Sequence, residues 1–253
     1  MTLTEALSIK EREVISLVGA GGKTTLMFAL GRELSLHKRG ILLTTTTKIW
    51  DPGPSCDFAL FCSPKLGEIK DWVEQNLNRH RYLLVAREKL VTGKLQGIPA
   101  GWVGELHSVA GVSHIIVEAD GAAGRPLKAP REGEPVVPPD TTLMIAVVGI
   151  DALGDLLTED HVFRSKIAMK ILDQPEGAII SEQMIAKLVA ESLKKMLGKV
   201  RVVPFLNKVD LPNGLEKGRN LARILVEAFR PRIDRVVLGH AGGSHTVAEI
   251  VTS

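Results

Sequence analysis

Residues 14–25 read Val14-Ile15-Ser16-Leu17-Val18-Gly19-Ala20-Gly21-Gly22-Lys23-Thr24-Thr25. A near-continuously apolar run of strand length passes into glycines, a lysine and two threonines. Leu26, Leu30 and Leu34 then recur at the spacing of a helix face, and Gly40 marks its stop. A strand, a glycine turn and a helix in that order open an α/β unit. Glycine admits positive φ and close approach of the backbone to an anion. Consecutive amides of such a turn point at phosphate oxygens, and the helix adds its positive end. Gly19, Ala20, Gly21, Gly22, Lys23, Thr24 and Thr25 are therefore candidate nucleotide-binding residues. Lys23 would reach the terminal phosphates, and the Thr24 hydroxyl would ligate Mg²⁺.

The pattern repeats outward from this unit. Apolar, β-branched runs at 41–46, 58–61, 82–86, 114–117, 143–148, 200–206 and 235–238 predict buried strands. Amphipathic stretches at 64–81, 99–110, 181–197, 215–229 and 244–251 predict helices. Such alternation predicts a three-layer α/β fold with a mostly parallel sheet. A single domain over residues 1–253 is expected, with an irregular loop at 119–140, rich in Gly, Pro and charge, that could be mobile.

Composition bounds the partners. Lys and Arg total 32 against 29 Asp and Glu, a net charge of +3, with 45% hydrophobic and 24% charged residues. That excludes a disordered or fibrous chain, and so small a surplus predicts neither nucleic acid nor a membrane surface as partner. Aromatics at 4% do not predict base-stacking platforms. No apolar run reaches membrane-span length, and the charged start is not a secretory signal, so a cytoplasmic protein is expected. Cys56 and Cys62 have no nearby His and the histidines are scattered, which does not predict a soft-ligand metal site.

Two further strand ends carry chemistry. The run 114–117 ends in Glu118-Ala119-Asp120-Gly121. A carboxylate there could hold Mg²⁺, and Glu118 and Asp120 compete for the role, since alternation puts them on one face. The Gly121 amide could meet a γ-phosphate. The run 200–206 ends in Asn207-Lys208-Val209-Asp210. An aspartate can accept the N1–H and 2-amino hydrogens of guanine, whereas adenine leaves it unpaired. Asn207 would fix the neighbouring loop or touch N7, and Lys208 would pack along the base. Gly239-His240-Ala241 is placed for a second base contact.

Other residues admit ordinary roles beside functional ones. Thr44–Thr47 could offer hydroxyls to phosphate or Mg²⁺, or simply suit a strand, and Asp51 could act as a switch carboxylate. Arg125, Lys128 and Arg131 could clamp an anion, or form a solvated basic loop. Arg164 and His161 read as structural.

Three motifs in this order resemble GTPases of the SIMIBI group of P-loop NTPases. The Glu118…Gly121 pattern is similar to that of the GTPases that mature urease and hydrogenase. The glycine loop departs from GxxxxGK[ST], since Leu17 stands six before Lys23. Its short form resembles loops of peptidoglycan-ligase ATPases and selects neither ATP nor GTP. Leu43-Thr44-Thr45-Thr46-Thr47-Lys48-Ile49-Trp50-Asp51-Pro52, with Glu118-Ala119-Asp120-Gly121 and Pro126-Leu127-Lys128-Ala129-Pro130, resembles the YqeC family, accessory proteins of selenium-dependent molybdenum hydroxylases.

That resemblance implies a Mg²⁺-dependent NTPase, with GTP favoured over ATP. It would assist maturation of, or cofactor insertion into, a molybdenum hydroxylase, with that enzyme or its maturation proteins as partners. Lys23, Thr24 and Glu118 are the expected catalytic residues, and Thr24, Glu118 and Asp120 the expected metal ligands. An ATP-dependent small-molecule kinase or ligase, and a non-catalytic nucleotide-binding scaffold, are the alternatives. Oligomeric state is left open, a homodimer included.

Overall fold

In the computed structural model, which describes residues 1–55, 57–194 and 196–252, the first motif forms as the sequence predicts. In chain order the first elements are α1 (Leu3–Ala6), β1 (Glu13–Gly19), α2 (Lys23–His37), β2 (Ile41–Thr45), β3 (Lys48–Trp50), β4 (Phe58–Cys62) and α3 (Leu66–Asn76). Next come β5 (Tyr82–Ala86), β6 (Glu88–Lys89), β7 (Lys94–Gln96), α4 (Trp102–His107), β8 (His114–Glu118), β9 (Leu127–Lys128), β10 (Leu143–Gly149) and β11 (Val162–Phe163). The chain closes with α5 (Ser165–Leu172), α6 (Glu182–Leu193), β12 (Arg201–Asn207), α7 (Gly214–Phe229), β13 (Arg235–Gly239) and β14 (Val247–Thr252).

Nine strands make one sheet in the order β14-β13-β12-β10-β1-β8-β2-β5-β4. Every pairing is parallel except β13 with β14. Strand alternation sorts the apolar side chains between two faces. Ile15, Leu17, Ile116, Ile145 and Phe205 pack on one face with Leu26, Leu30 and Leu34 of α2 and with Leu3 and Leu7. Val14, Leu42, Leu83, Ile115 and Val117 face the other way onto α3 and α4. Val18, Met144, Val202 and Leu238 continue that second face beneath α5, α6 and α7. The result is an α/β structure with a large, mostly parallel central sheet between helical layers. Each fully buried Leu or Ile contributes about 1.5–3 kcal/mol of transfer free energy.

The carboxyl ends of β1, β2, β8, β10, β12 and β13 share one edge of the sheet. α2 leaves β1 onto one face, while the later helices cover the other. The crevice outside that edge, where connections diverge, is where open α/β sheets take ligands.

One reading of the sequence is corrected. The stretch 244–251 was expected to be a helix, but it ends in the antiparallel edge strand β14, with Val236 opposite Val251 and Val237 opposite Ile250. Its β-branched content suits a half-buried edge, and pairing with β13 overrides helical spacing. The stretch 119–140 makes backbone contacts of its own. Leu127–Lys128 pairs with Val162–Phe163, and the Val136 amide donates to the Ala119 carbonyl. A small antiparallel sheet, β3-β7-β6, was not anticipated. No helix among the described residues is long and apolar enough to cross a membrane.

Candidate functional site

The glycine loop joins β1 to α2. Gly22 is the N-cap of α2 at φ 129°, and a Cβ there would run into the Asn207 side-chain amide. Gly21, at φ 80°, lies against the backbone of Gly149. Both positions therefore need glycine. The Ala20 amide donates to the Val147 carbonyl and the Gly21 amide to the Arg125 carbonyl. The amides of Gly22, Lys23, Thr24 and Thr25 have no acceptor among the described residues. Four free donors at the positive end of a fifteen-residue helix suit an anion.

Lys23 is 3% exposed. Its Nζ donates to the Gly19 carbonyl at 2.6 Å and stands 3.0 Å from Asp120 Oδ1 and 3.8 Å from Glu118 Oε1. The approach to Asp120 Oδ1 is an ion pair without hydrogen-bond alignment, so that buried oxygen keeps an unused acceptor site. Asp120 Oδ2 accepts from the Gly19 amide at 2.9 Å. The Thr24 hydroxyl donates to Glu118 Oε2 at 2.7 Å. Burial pushes the Glu118 carboxyl above the ordinary carboxylate range, against the opposing pull of Lys23 and Thr24.

The two competing carboxylates part company here. Glu118 lines a cleft of about 350 Å³ formed with residues 21–25 and 121–125. Asp120 does not line it. It sits behind Lys23 and is tied to Lys128 at 3.0 Å. Gly121 lines the cleft, with open space where a Cβ would be.

The third motif meets the first through Asn207. Its Nδ2 donates to the Gly21 carbonyl at 2.7 Å, and its Oδ1 accepts from the Ala241 amide at 2.8 Å. Asn207 thus joins the glycine loop to the turn after β13. Lys208, at φ 69°, lines the cleft, and its Nζ bonds Asp151, a partner the sequence analysis did not single out. Asp210 lies outside that cleft. It lines a separate depression of about 250 Å³ with His240, whose Nδ1 is 3.3 Å away. Gly242, in the same turn, lies beside Thr25.

Other candidates are engaged elsewhere. Thr44, Thr45 and Thr46 donate to the carbonyls of Val85, Glu118 and Val136, and Thr47 lies 3.3 Å from the Thr45 hydroxyl. Asp51 is held below the usual carboxylate range by Lys89 and by the Gly53 amide. Lys128 is neither a solvated residue nor an open clamp. It is buried against Asp120 and Glu134, and Arg164 makes a two-pronged bond to the same Glu134. Arg131 also pairs with Glu134. Arg125 donates to the Glu159 carbonyl and lines the cleft. Cys56 lies outside the described residues, and Cys62 is half-buried on β4. The sequence analysis missed Lys48, Trp50 and Lys94 as cleft residues. Alternation of Ile49 and Leu95 with exposed neighbours is the signal they carried.

The described site is a basic cleft floored by free amides, a buried lysine and a hydroxyl–carboxylate pair. The model of the family described as YqeC protein matches residues 15–166. That interval holds the glycine loop, Glu118 and Asp120, whereas Asn207–Asp210 lies beyond it. The YqeC protein of Escherichia coli (strain K12) is 34% identical over 155 residues, 61% of this chain and 59% of the relative. The match thus covers less than two thirds of that relative's length. With the family model spanning more than half of its residues, the chain belongs to the YqeC family.

Proposed function

We propose that this chain is a P-loop NTPase of SIMIBI type. It binds a nucleoside triphosphate with Mg²⁺ at the glycine loop and hydrolyses it, taking GTP in preference to ATP. Turnover would serve maturation of, or cofactor insertion into, a selenium-dependent molybdenum hydroxylase. That last part rests on the family resemblance alone.

One observation carries the reading. Side-chain hydrogen bonds stitch three sequence-distant motifs together at one sheet edge, from Thr24 to Glu118, Gly19 to Asp120, and Gly21 through Asn207 to Ala241. The residues fit the ligands. Free amides at 22–25 and the Lys23 ammonium would hold phosphate oxygens, as charge building on a transferring phosphoryl group requires. Thr24 and Glu118 offer the hard oxygens that Mg²⁺ prefers, with Asp120 backing Lys23. When bound, the metal supplies charge neutralisation. The depression beside Asp210 would take the base, with the Lys208 stem along it. Glu118 is the one carboxylate lining the cleft among the described residues, and Thr24 occupies it. No free general base follows, and intrinsic turnover is expected to be slow and partner-stimulated.

Calorimetric titration with GTP, ATP and their diphosphates in Mg²⁺ tests this. GTP should bind more tightly than ATP, and Lys23→Ala should abolish turnover. Unchanged turnover in that variant would remove the hypothesis. A second reading, an ATP-dependent kinase or ligase, is favoured by Lys48, Lys94 and Arg125, which line the cleft without a carboxylate partner among the described residues. A phosphorylated or ligated small-molecule product would select it.

A further inference from the structure

The wall facing the glycine loop is built from the small sheet. Ile49 and Leu95 are cross-strand partners, 4% and 0% exposed, and they anchor β3 and β7 in the core. Their neighbours Lys48, Trp50 and Lys94 line the cleft, which Ile49 also borders. Trp50 stands opposite Lys94, whose Nζ lies 4.6 Å from the ring centroid. The Asp51 amide bonds the Gly93 carbonyl, which fixes the strand end next to the ring.

Beyond the contact of Lys94 with the Trp50 ring, neither packing nor charge pairing accounts for this wall. Trp50 is 66% exposed, and a large aromatic at a cleft rim forfeits burial that the fold could have used. Among the described residues Lys48, Lys94 and Arg125 have no carboxylate within ion-pair distance. Lys23 and Lys208 already have carboxylate partners. A Mg²⁺-bound triphosphate carries only about two net negative charges, and the loop amides with Lys23 answer them. The three remaining cations call for a second anion, and the indole calls for a flat ring.

We propose that the cleft holds a second ligand beside the nucleotide: a planar aromatic molecule bearing a phosphate or carboxylate, its ring on Trp50 and its anion among Lys48, Lys94 and Arg125. Its place beside the nucleotide, as a second anion, rests on the preceding functional reading. The subsite itself rests on the wall.

1-Naphthyl phosphate is a suitable probe, titrated into the full chain by calorimetry, with 1-naphthol and inorganic phosphate as comparisons. The phosphate ester should bind saturably, and at least tenfold more tightly than either comparison. Trp50→Ala should weaken it at least tenfold, Trp50→Phe should restore most of the loss, and Lys94→Ala should erase the preference over 1-naphthol. Binding should persist in Lys23→Ala and in saturating GTP with Mg²⁺, so failure of the nucleotide reading leaves this result readable. Three outcomes would overturn the proposal. They are no saturable binding by the folded chain, binding lost with Lys23 but indifferent to Trp50, and a Trp50→Ala variant whose primary loss is in GTP affinity.

Discussion

Asn207 and Asp210 belong to one motif, yet their surroundings assign them different tasks. Asn207 is 4% exposed and satisfies a carbonyl of the glycine loop and an amide of the turn after β13. Asn207→Ala leaves both buried groups unpaired, so unfolding free energy should fall by about 2–4 kcal/mol in urea titrations. Loss of GTP and ATP binding should then be similar, because the loop geometry suffers for both. Asp210 is exposed and meets His240 only at 3.3 Å. Asp210→Asn should leave stability within about 0.5 kcal/mol of the parent. Its effect belongs in recognition. A carboxylate accepts two guanine hydrogens, and a bond to a charged group is worth about 1.5–3 kcal/mol. GTP affinity should drop roughly tenfold to a hundredfold, and ATP affinity less than threefold. Xanthosine triphosphate, with an oxygen where guanine has its 2-amino group, should gain. Equal losses for GTP and ATP would count against guanine reading.

The segment 119–140 shows how an element hides its own order. Its sequence reads as a loop because Gly, Pro and charge break every period. Its order comes from partners that no local pattern announces. Lys128 is held by Asp120 and Glu134, and Glu134 is gripped by Arg164 from the start of α5. Burial alone would raise the Glu134 carboxyl, but the bonds from Arg164 and Lys128 outweigh it and hold it at about 2, against an ordinary 4.5. A carboxylate depressed in the folded state adds stability above its unfolded value and loses it as pH falls through the folded one. Wild-type stability should therefore decline between pH 4.5 and about 2, in part through this group. Glu134→Gln should cost about 2–3 kcal/mol at neutral pH, since Lys128, Arg131 and Arg164 lose a counter-charge, and should flatten that decline. Urea midpoints across the acid range read both effects, and an unaltered slope in the variant would show the cluster does not carry it. The main strands were legible for the opposite reason, because burial on both faces leaves continuous apolar runs such as 143–148. The three-stranded arm was not, because strands of two or three residues are too short to show a period. At the candidate site, the glycine loop and the two acidic or polar strand ends were legible as motifs. Which of Glu118 and Asp120 lines the cleft was not, since that depends on how Lys23 and Lys128 pack against them.

At the scale of the molecule, the motifs sit at the ends of β1, β8 and β12, and the turn after β13 closes the set. These strands lie within the contiguous block β13-β12-β10-β1-β8 but come from distant parts of the chain, and no local segment holds them together without the intervening core. A ligand that touches all of them binds the folded chain and has no counterpart in the unfolded one, so affinity appears as stability. GTP with Mg²⁺ at a hundred times its dissociation constant should add about 2.7 kcal/mol. For a chain of this size that raises Tm by roughly 5–10 °C. Chelating the metal should remove most of the rise, and Lys23→Ala should remove it entirely. Hydrogen exchange then separates the two halves of the proposal. Slowed exchange at 19–25 with either nucleotide reports phosphate binding, which lies within the segment matched by the family model. Slowed exchange at 207–210 with GTP but not ATP reports base recognition, which lies outside that segment. Protection confined to 19–25 and equal for both nucleotides would leave a nucleotide-binding protein without guanine selectivity, and the depression at Asp210 would lose its assigned occupant.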